Sequence, residues 1–211
     1  MPEKSGPLNI LVLASGNGSN FQSLIDNLDR NKAKLSLLII DRASAYAAKR
    51  ARLSGIPFLL EKPDYSLKRG ERRVELSNRI LKHCRHYKID MIVHAGFLSV
   101  LSGEIIEEYA WRMINIHPAL LPKYGGQGMY GENVHRAVLE AGERESGCTV
   151  HYVTAGIDAG PVVLQKKVPV LPDDNADLLA KRIQKQEHFA IVEAVNIVID
   201  KIFDKNCLEE K

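Results

Sequence analysis

The sequence predicts an α/β fold with a mostly parallel, twisted β-sheet, helices on both of its faces and an antiparallel C-terminal edge. Three observations lead to this prediction. Short apolar runs alternate with helical segments up to residue 117, several of these runs are nearly continuous, as in strands covered on both faces, and the pattern changes beyond that point. The 211 residues contain no internal repeat or linker and suffice for a single domain, residues 1–211, with a sizeable core.

The first part of the chain consists of alternating predicted strands and helices. A buried strand over residues 8–14 leads through a turn rich in Gly, Asn and Ser to a helix near residues 20–28. Further elements are strands at residues 35–40, 57–60, 91–94 and 112–117 and helical segments at residues 45–53, 66–87 and 102–109. Because helices separate successive strands, we expect these strands to run parallel, as in Rossmann-like folds.

Beyond the fifth predicted strand the character of the sequence changes. Residues 123–131 contain four glycines and two tyrosines, which predicts a mobile loop, and a short helix is predicted at residues 132–141. Residues 148–153 and 162–170 alternate enough to be paired strands on the far edge of the sheet. Asp174, with a second aspartate three residues later, is predicted to cap a long amphipathic C-terminal helix.

Composition and charge exclude several classes of protein. The formal net charge of +3 excludes a strongly basic nucleic-acid-binding protein, and no apolar run approaches the roughly 18 residues of a transmembrane helix. The first residues contain no apolar signal core. Cys84, Cys148 and Cys207 are odd in number and far apart, which is typical of free thiols in a reducing compartment. We therefore expect a cytoplasmic protein that binds neither nucleic acid nor membrane.

The clearest indication of chemistry is the segment N-I-H-P-A-L-L-P, which begins at Asn115. In an extended chain the side chains of Asn115 and His117 point to the same face, and Pro118 favours the end of the strand there. An amide donor beside an imidazole can stabilise the oxyanion of a tetrahedral intermediate and move a proton. The alternative is a strand end with two hydrogen-bonded polar residues, and two further motifs weigh against it.

A second motif, A-S-G-N-G-S-N at residues 14–20, lies between a buried strand and a helix. Its glycines let the backbone approach a ligand, and the helix N-terminus offers free N–H groups and a positive dipole end, so the turn suits a phosphate. Phe21 occupies the place of the third glycine of a dinucleotide fingerprint, and no Gly-Lys-Ser/Thr sequence is present. The motif predicts a site for one phosphate, with a turn that binds no ligand as the alternative.

A third motif, T-A-G-I-D-A-G-P at residues 154–161, places Asp158 among small residues between two predicted strands. An acid at such a position usually forms a turn. If Asp158 reaches His117, it orients the imidazole ring and favours its protonated form, which completes a catalytic group with Asn115. We therefore expect Asp158 to lie within a direct or single-water contact of His117.

With these motifs in this order, the chain resembles the phosphoribosylglycinamide formyltransferases, the folate-dependent glycinamide ribonucleotide transformylases of purine synthesis. The resemblance covers nearly the whole chain and rests on S-G-N-G-S-N, A-G-F, N-I-H-P-x-L-L-P, G-x-D-x-G-P and Q-E-H. It implies transfer of the formyl group of 10-formyltetrahydrofolate, a co-substrate, to the amine of glycinamide ribonucleotide, without a metal. It also implies an N-terminal half that binds the nucleotide phosphate and a C-terminal half for folate binding and catalysis.

The resemblance also implies roles for residues at matching positions. The catalytic group is Asn115, His117 and Asp158. The residues implied to bind the ribonucleotide and its phosphate are Gly18, Ser19, Asn20, Gln184 and Glu187. The residues implied to bind folate are Arg69, Leu98, Ser99, Val100, Leu101, Asn115, Thr154, Ala155, Gly156, Ile157 and Asp158. The family often has G-F-M-R-I-L where this chain has G-F-L-S-V-L, so Ser99 cannot make a contact that the arginine makes.

Two alternative functions remain at this point. A 10-formyltetrahydrofolate hydrolase passes the same formyl group to water, but such enzymes usually carry an N-terminal regulatory domain and need no phosphate loop. A non-catalytic nucleotide- or folate-binding module on the same fold does not require the group of Asn115, His117 and Asp158. The expected partners are small-molecule substrates, and the chain is expected to be a monomer or a homodimer.

Overall fold

The computed structural model describes residues 6–204, which form a central β-sheet with helices on both faces. The strands are β1 (Leu8–Ala14), β2 (Ala33–Ile40), β3 (Phe58–Leu60), β4 (Met91–His94), β5 (Met113–His117), β6 (Glu145–Tyr152) and β7 (Val162–Pro169). The helices are α1 (Ser19–Asn27), α2 (Ala47–Leu53), α3 (Arg69–His86), α4 (Glu104–Glu108), α5 (Glu132–Glu140) and α6 (Ala176–Phe203).

Within these residues the sheet has seven strands, in the order β3-β2-β1-β4-β5-β6-β7. Strands β1 to β5 pair in parallel, whereas β6 pairs antiparallel with both β5 and β7. The predicted fold class is thus confirmed, including the antiparallel C-terminal edge. The strand order reverses between β1 and β4, and the loops that follow strands at such a switch point leave a crevice for ligands.

Apolar side chains cover the sheet on both faces. Residues 10–14 of β1 are all buried, as their continuous apolar run predicts. On one face α1 and α6 contribute Phe21 and Ile191 to the core, and on the other face α3 and α4 contribute Leu76 and Ile105. All four side chains are almost completely buried. Burial of a side chain of this size stabilises the fold by roughly 1.5–3 kcal/mol, so the two clusters hold the strand ends rigidly.

The start of α6 corrects the predicted helix cap. Asn175 is the N-cap residue, and its side-chain oxygen accepts a hydrogen bond from the N–H of Leu178 at 2.9 Å. The carboxylate of Asp174 instead accepts hydrogen bonds from the N–H of Leu171 and the guanidinium of Arg182, at 2.8 Å each. Because these donors engage Asp174, the neighbouring amide caps the helix.

Two of the cysteines are free thiols in the interior. Cys84 and Cys148 are buried and unpaired, whereas Cys207 lies outside the described residues. Burial raises the pKa of each of these two thiols to about 12, which keeps them protonated and unreactive at neutral pH. None of the helices in residues 6–204 combines the length and the apolar content that a membrane span needs.

Candidate active site

A cavity of about 460 Å³ lies where the loops after β4 and β5 meet the turn between β6 and β7. All residues with an expected catalytic or folate-binding role line it, namely Arg69, residues 98–101, Asn115, His117, residues 154–157 and Asp158. Three of the expected ribonucleotide-binding residues line it as well, namely Asn20, Gln184 and Glu187. Ser19 instead borders an adjacent groove between α1 and α6, and Gly18 is outside the lining of both.

Two polar side chains stand at the end of β5. Asn115 and His117 face His151 and Thr149 across the antiparallel register with β6. His117 is 4% exposed, and its Nε2 lies 2.7 Å from the carbonyl oxygen of Tyr124. A carbonyl oxygen only accepts hydrogen bonds, so Nε2 carries a hydrogen, and the neutral ring has its lone pair at Nδ1.

Asp158 lies beside this pair. Its Oδ2 is 3.6 Å from Nδ1 of His117, and its Oδ1 is 3.5 Å from Nδ2 of Asn115. The backbone at Asp158 is left-handed, with a φ of 53°, a conformation that aspartate tolerates better than most residues. The turn also requires Gly160, because a Cβ there would lie 1.8 Å from the carbonyl oxygen of Tyr152. The expected proximity of His117 and Asp158 is therefore confirmed.

The glycine-rich loop after β5 supplies two backbone contacts to this group. The carbonyl oxygen of Tyr124 accepts a hydrogen bond from His117, and the N–H of Gly126 donates to Oδ2 of Asp158 at 2.9 Å. Gly125 packs so closely that an added Cβ would lie 3.2 Å from the Cβ of Asp158. Sequence reasoning predicted only a loop here, whereas its backbone holds the side chains of His117 and Asp158.

His151 is a member of the site that sequence reasoning missed. It is 2% exposed, and its Nδ1 lies 2.9 Å from the carbonyl oxygen of Tyr152. Its Nε2 lies 3.0 Å from Nδ2 of Asn115 and 3.6 Å from Oδ1 of Asp158. Because Nδ1 donates to a carbonyl, Nε2 of the neutral ring accepts a hydrogen bond from the Asn115 amide and fixes its orientation. The available signal was the pairing of β5 with β6, which sets His151 opposite Asn115.

The protonation state of His117 differs from the expected one. Burial lowers the pKa of His117, and the charge of Asp158 and the hydrogen bond to Tyr124 raise it without compensating fully. The pKa therefore lies below the ordinary value of 6.5. Asp158 favours the protonated ring, as expected, because its charge raises the pKa of His117, but desolvation of the buried ring outweighs this attraction and the free protein holds the neutral ring.

Asp158 itself is ionised at neutral pH. Burial raises the pKa of Asp158, but His151 and His117, which are positively charged when protonated, and the N–H of Gly126 together bring it below the ordinary value of 3.8. The carboxylate faces Nδ1 of His117, the nitrogen with the lone pair. A proton that arrives at Nδ1 is placed beside negative charge, so Asp158 stabilises the imidazolium when it forms.

The other end of the cavity connects the first glycine-rich loop to the last helix. The amide of Asn20 donates to Oε2 of Glu187 at 3.1 Å, and the amide of Gln184 donates to the hydroxyl of Ser19 at 3.1 Å. Burial raises the pKa of Glu187, and the hydrogen bond from Asn20 opposes this shift. These four residues therefore form one connected group around the N-terminus of α1.

Gly18 determines the shape of the loop before α1. Its φ is 74°, in the left-handed region, and a Cβ on Gly18 would lie 2.7 Å from the Cβ of Ala47 in α2. Arg50 of α2 closes the loop, because its guanidinium donates to the carbonyl and side-chain oxygens of Asn17 at 2.9 and 2.7 Å. Contacts with α2 thus hold the loop in place.

The segment that follows β4 forms the opposite wall of the cavity. Ser15 positions it, since its N–H donates to the carbonyl oxygen of Gly96 at 3.0 Å and its hydroxyl accepts from the N–H of Leu98 at 2.8 Å. Arg69, at the start of α3, is the only lysine or arginine among the described residues that line the cavity. An anionic group of a ligand at this wall therefore has Arg69 as its cationic partner.

Comparison of the sequence with known protein families identifies the family of this chain. A profile of the formyl transferase family matches residues 8–195, from the first residue of β1 into α6. The chain belongs to the formyl transferase family. The resemblance that the motifs indicated is thus confirmed, and the match includes every residue with an expected catalytic or binding role.

Curated relatives of this formyl transferase cover most of its length. The phosphoribosylglycinamide formyltransferase of Escherichia coli is 40% identical over 185 residues, which are 86% of this chain and 82% of that protein. The trifunctional purine biosynthetic protein adenosine-3 of Drosophila melanogaster is 39% identical over 195 residues, 90% of this chain. The present chain spans 14% of that fly protein and so corresponds to one part of it.

Solved structures of similar proteins have the same fold. The glycinamide ribonucleotide transformylase 1 of Symbiobacterium toebii has a TM-score of 0.81 and 34% identity, covering 95% of this chain and 91% of that one. The phosphoribosylglycinamide formyltransferase of Coxiella burnetii has a TM-score of 0.78 and 37% identity, covering 90% of this chain and 85% of that one. A formyltetrahydrofolate deformylase of Pseudomonas syringae has a TM-score of 0.81 at 21% identity, a likeness of fold alone, and this formyl transferase covers 63% of it.

His94 should make a large contribution to the pH dependence of the stability of this formyl transferase. His94 ends β4 and lines the cavity, and its Nε2 is buried without a hydrogen-bond partner. Burial lowers the pKa of His94 from 6.5 to about 3, so its contribution to stability is complete above pH 6.5 and is lost as the pH falls. We expect urea unfolding to show a loss of about 2 kcal/mol from this group between about pH 7.5 and about pH 5.

Two variants test the assignment to His94. His94→Leu removes the titrating group and is expected to reduce the loss of stability at low pH. Part of the loss remains, because burial also lowers the pKa values of His117, His135 and His188. The exposed residue His86 provides the control, and His86→Asn should leave the pH dependence unchanged. A pH dependence in His94→Leu equal to that of the wild type would contradict the assignment.

Proposed function

We propose that this chain transfers the formyl group of 10-formyltetrahydrofolate to the amine of glycinamide ribonucleotide in de novo purine biosynthesis. It would then be a phosphoribosylglycinamide formyltransferase, the name that its relative in Escherichia coli bears. The observation that carries the proposal is one cavity that Asn115, His117 and Asp158 line together with two differently built walls. One wall suits a phosphorylated amine, and the other suits a folate.

The wall at α1 and α6 takes the ribonucleotide. The N-terminus of α1, which follows Gly18, offers N–H groups and a positive dipole end to the phosphate. Gln184 and Glu187 of α6 hold the glycinamide end, with Ser19 and Asn20 as their partners in the free protein. A half-buried carboxylate such as that of Glu187 gains a hydrogen-bond donor when an amine or a hydroxyl group of the ligand approaches.

The wall after β4 takes the folate. Residues 98–101 and residues 154–157 present backbone and mostly apolar side chains, which suits a flat ring with a few hydrogen-bonding groups at its edge. Arg69 pairs with a carboxylate of the folate tail. The catalytic group lies between this wall and the ribonucleotide, so the formyl carbon and the amine can meet there.

The reaction begins when the amine nitrogen attacks the formyl carbon and the formyl oxygen becomes an oxyanion. The amide of Asn115 has two hydrogens, of which one is directed to Nε2 of His151 at 3.0 Å. The other hydrogen makes no good hydrogen bond, since Oδ1 of Asp158 is 3.5 Å from Nδ2, and it is available to the oxyanion. Such a donor typically lowers the barrier by about 3 kcal/mol.

The proton balance follows from the state of His117. The attacking amine must lose a proton, and the folate nitrogen must gain one as its bond to the formyl carbon breaks. Because His117 is neutral with its lone pair at Nδ1, it accepts the proton of the amine, and Asp158 stabilises the imidazolium. His117 then returns the proton to the folate nitrogen, directly or through water, and the products are the formylated ribonucleotide and tetrahydrofolate. The residues of this chain that take part in these steps are Asn115, His117 and Asp158.

A formyl-transfer assay tests the proposal. The purified protein is mixed with glycinamide ribonucleotide and 10-formyltetrahydrofolate, and mass spectrometry measures the formylated ribonucleotide. We expect one formylated product for each tetrahydrofolate formed. Formate release that does not require the ribonucleotide would identify a hydrolase instead, and binding of both ligands without turnover would identify a non-catalytic module. The connected group of Ser19, Asn20, Gln184 and Glu187 favours transfer, because a reaction with water has no use for it.

Substitution of Gly18 by valine is expected to raise KM for the ribonucleotide more than tenfold and KM for the folate by less than about twofold. Left-handed backbone costs a side-chain-bearing residue roughly 1–2 kcal/mol, and the added carbon would also overlap Ala47. Relief of both effects moves the phosphate-binding N–H groups. Steady-state kinetics with each substrate varied in turn provides the measurement. An equal rise of both KM values would contradict the assignment of the phosphate site to this loop.

Substitution of Glu187 by glutamine is expected to weaken ribonucleotide binding by about tenfold without a change in folate binding. The shape is retained, and the new amide oxygen can still accept from Asn20, but the charge that attracts the amine is lost. Calorimetric titration with each ligand alone measures the two affinities. Glu193, exposed on the same helix and paired with Lys166, is the matched control, and Glu193→Gln should leave both affinities unchanged. A selective loss of folate affinity in Glu187→Gln would contradict the assignment.

We also infer a single domain over residues 1–211, a cytoplasmic location and a monomer or homodimer that acts on small molecules. The buried free thiols of Cys84 and Cys148 fit a reducing compartment. The assignment of the phosphate to the N-terminal half and of folate and catalysis to the C-terminal half stays a prediction. Light scattering of the purified protein would determine the assembly, and structures with each substrate bound would test the division.

A further inference from the structure

A polar contact lies behind Ser99 in the wall that is proposed to bind folate, residues 98–101 and 154–157. Ser15 follows β1, Asp41 follows β2 and residues 96–101 follow β4, and these three strands are neighbours in the sheet. Their carboxyl ends therefore bring the three segments together. Ser15 holds the N–H of Leu98, and the hydroxyl of Ser99 donates to Oδ2 of Asp41 at 2.7 Å. Position 99 is thus tied to an acidic side chain that lies outside the cavity lining.

Asp41 depends on this hydrogen bond. The residue is 5% exposed, and its Oδ1 is buried without a hydrogen-bond partner. The nearest cation is the guanidinium of Arg42, whose Nε lies 4.0 Å from Oδ1 and whose side chain is 53% exposed. The hydrogen bond from Ser99 to this buried carboxylate is therefore strongly favoured, because its loss would leave both carboxylate oxygens without a donor.

The direction of the hydrogen bond determines what Ser99 can do in the cavity. A hydroxyl group has one hydrogen and two lone pairs, and the hydrogen of Ser99 is committed to Asp41. Ser99 is half-buried and lines the cavity, so towards a ligand its oxygen can only accept. The charge of Asp41 adds a negative potential at the same place. An arginine at this position, as in the related motif G-F-M-R-I-L, would present the opposite polarity.

We propose that Ser99 accepts a hydrogen bond from an N–H group of the formyl donor, and that Asp41 is a positioning residue that fixes the direction of the Ser99 hydroxyl. The formyl donor is the reduced folate of the proposed function, on which this inference rests. The pair selects a ligand edge that donates hydrogen bonds and repels a carboxylate. The anionic end of the same ligand is left to Arg69, which also lines the cavity.

The first test removes the acceptor. Ser99→Ala is expected to raise KM for 10-formyltetrahydrofolate about tenfold, with little change in kcat and with KM for the ribonucleotide within about twofold of the wild type. Ser102→Ala is the matched control, because its hydroxyl lies three residues away, is buried without a partner and is outside the cavity lining. Its kinetic constants should equal those of the wild type. An unchanged folate KM in Ser99→Ala would overturn the acceptor contact.

The second test asks whether Asp41 acts through Ser99. Asp41→Asn is expected to raise the folate KM about threefold when Ser99 is present, and to add nothing in the Ser99→Ala background. This coupling is what a positioning residue predicts, whereas a residue that merely supports the fold would shift both backgrounds equally. An equal shift in both would overturn the role of Asp41. Thermal melts establish that each variant is folded, and if Asp41→Asn does not fold, the comparison of Ser99→Ala with Ser102→Ala decides the proposal.

The proposed function and this inference fail in different ways. Absence of formyl transfer by the wild-type protein would refute the function before any variant is made. Transfer by the wild type with a folate KM that does not respond to Ser99→Ala would leave the function intact and refute the inference.

Discussion

Replacement of His117 by asparagine is expected to lower kcat by about 10³-fold, within the range for loss of a general acid–base group. In the free protein Nε2 of His117 donates to the carbonyl oxygen of Tyr124, and Nδ1 faces Asp158 with a lone pair. An asparagine amide can retain the first contact but cannot take up the proton of the attacking amine. The oxyanion donor on Asn115 and both substrate walls remain, so the two KM values should change by less than about threefold.

Single-turnover kinetics at saturating concentrations of both substrates separates the chemical step from binding and measures this effect. The matched control is His86→Asn, which removes an exposed imidazole at the end of α3 and should leave kcat unchanged. A loss of less than about tenfold in His117→Asn would show that water or another group moves the proton. A large rise of either KM with an unchanged kcat would make His117 a binding residue.

Much of this site follows from local patterns in the sequence. The side chains of Asn115 and His117 share a face because they are two residues apart in an extended strand, which needs no tertiary information. The phosphate loop is recognisable because glycine is required where the backbone turns left-handed, as at Gly18. The approach of Asp158 was predictable from the small residues around it, and the structure shows why, since Gly160 passes too close to Tyr152 for any side chain.

Other features depend on contacts that local patterns do not contain. His151 joins the site through the register of β5 with β6, and a shift by one residue would turn it away from Asn115. The low pKa of His117 results from burial by the whole fold, which outweighs the one charge that sequence motifs associate with it. The sequence shows at position 99 only a serine where the related motif has an arginine. The hydrogen bond of Ser99 to Asp41 is not visible there, because it requires the ends of β2 and β4 to meet.

Substitution of Asp158 by asparagine is expected to lower the pKa of His117 further and to reduce kcat by about 10²-fold while both substrates still bind. Burial already holds that pKa below 6.5, and the charge of Asp158 is the largest effect that raises it. An asparagine can still accept the hydrogen bond from the N–H of Gly126, so the turn should keep its place. What disappears is the negative charge beside Nδ1 when that atom takes the proton.

NMR titration of the ring nitrogens of His117 in the wild type and in Asp158→Asn measures the predicted shift directly. Asp64, which forms an exposed turn with Ser66, provides the control, and Asp64→Asn should leave the His117 titration unchanged. Because the pKa of His117 falls in the variant, the ring stays neutral to lower pH. The variant ring therefore takes up the proton of the amine less readily, whereas release of a proton is not impaired. An unchanged pKa would mean that the charge of Asp158 has no effect on His117, although Oδ2 lies 3.6 Å from Nδ1 in the free protein. His117 would then form its imidazolium without the help of Asp158.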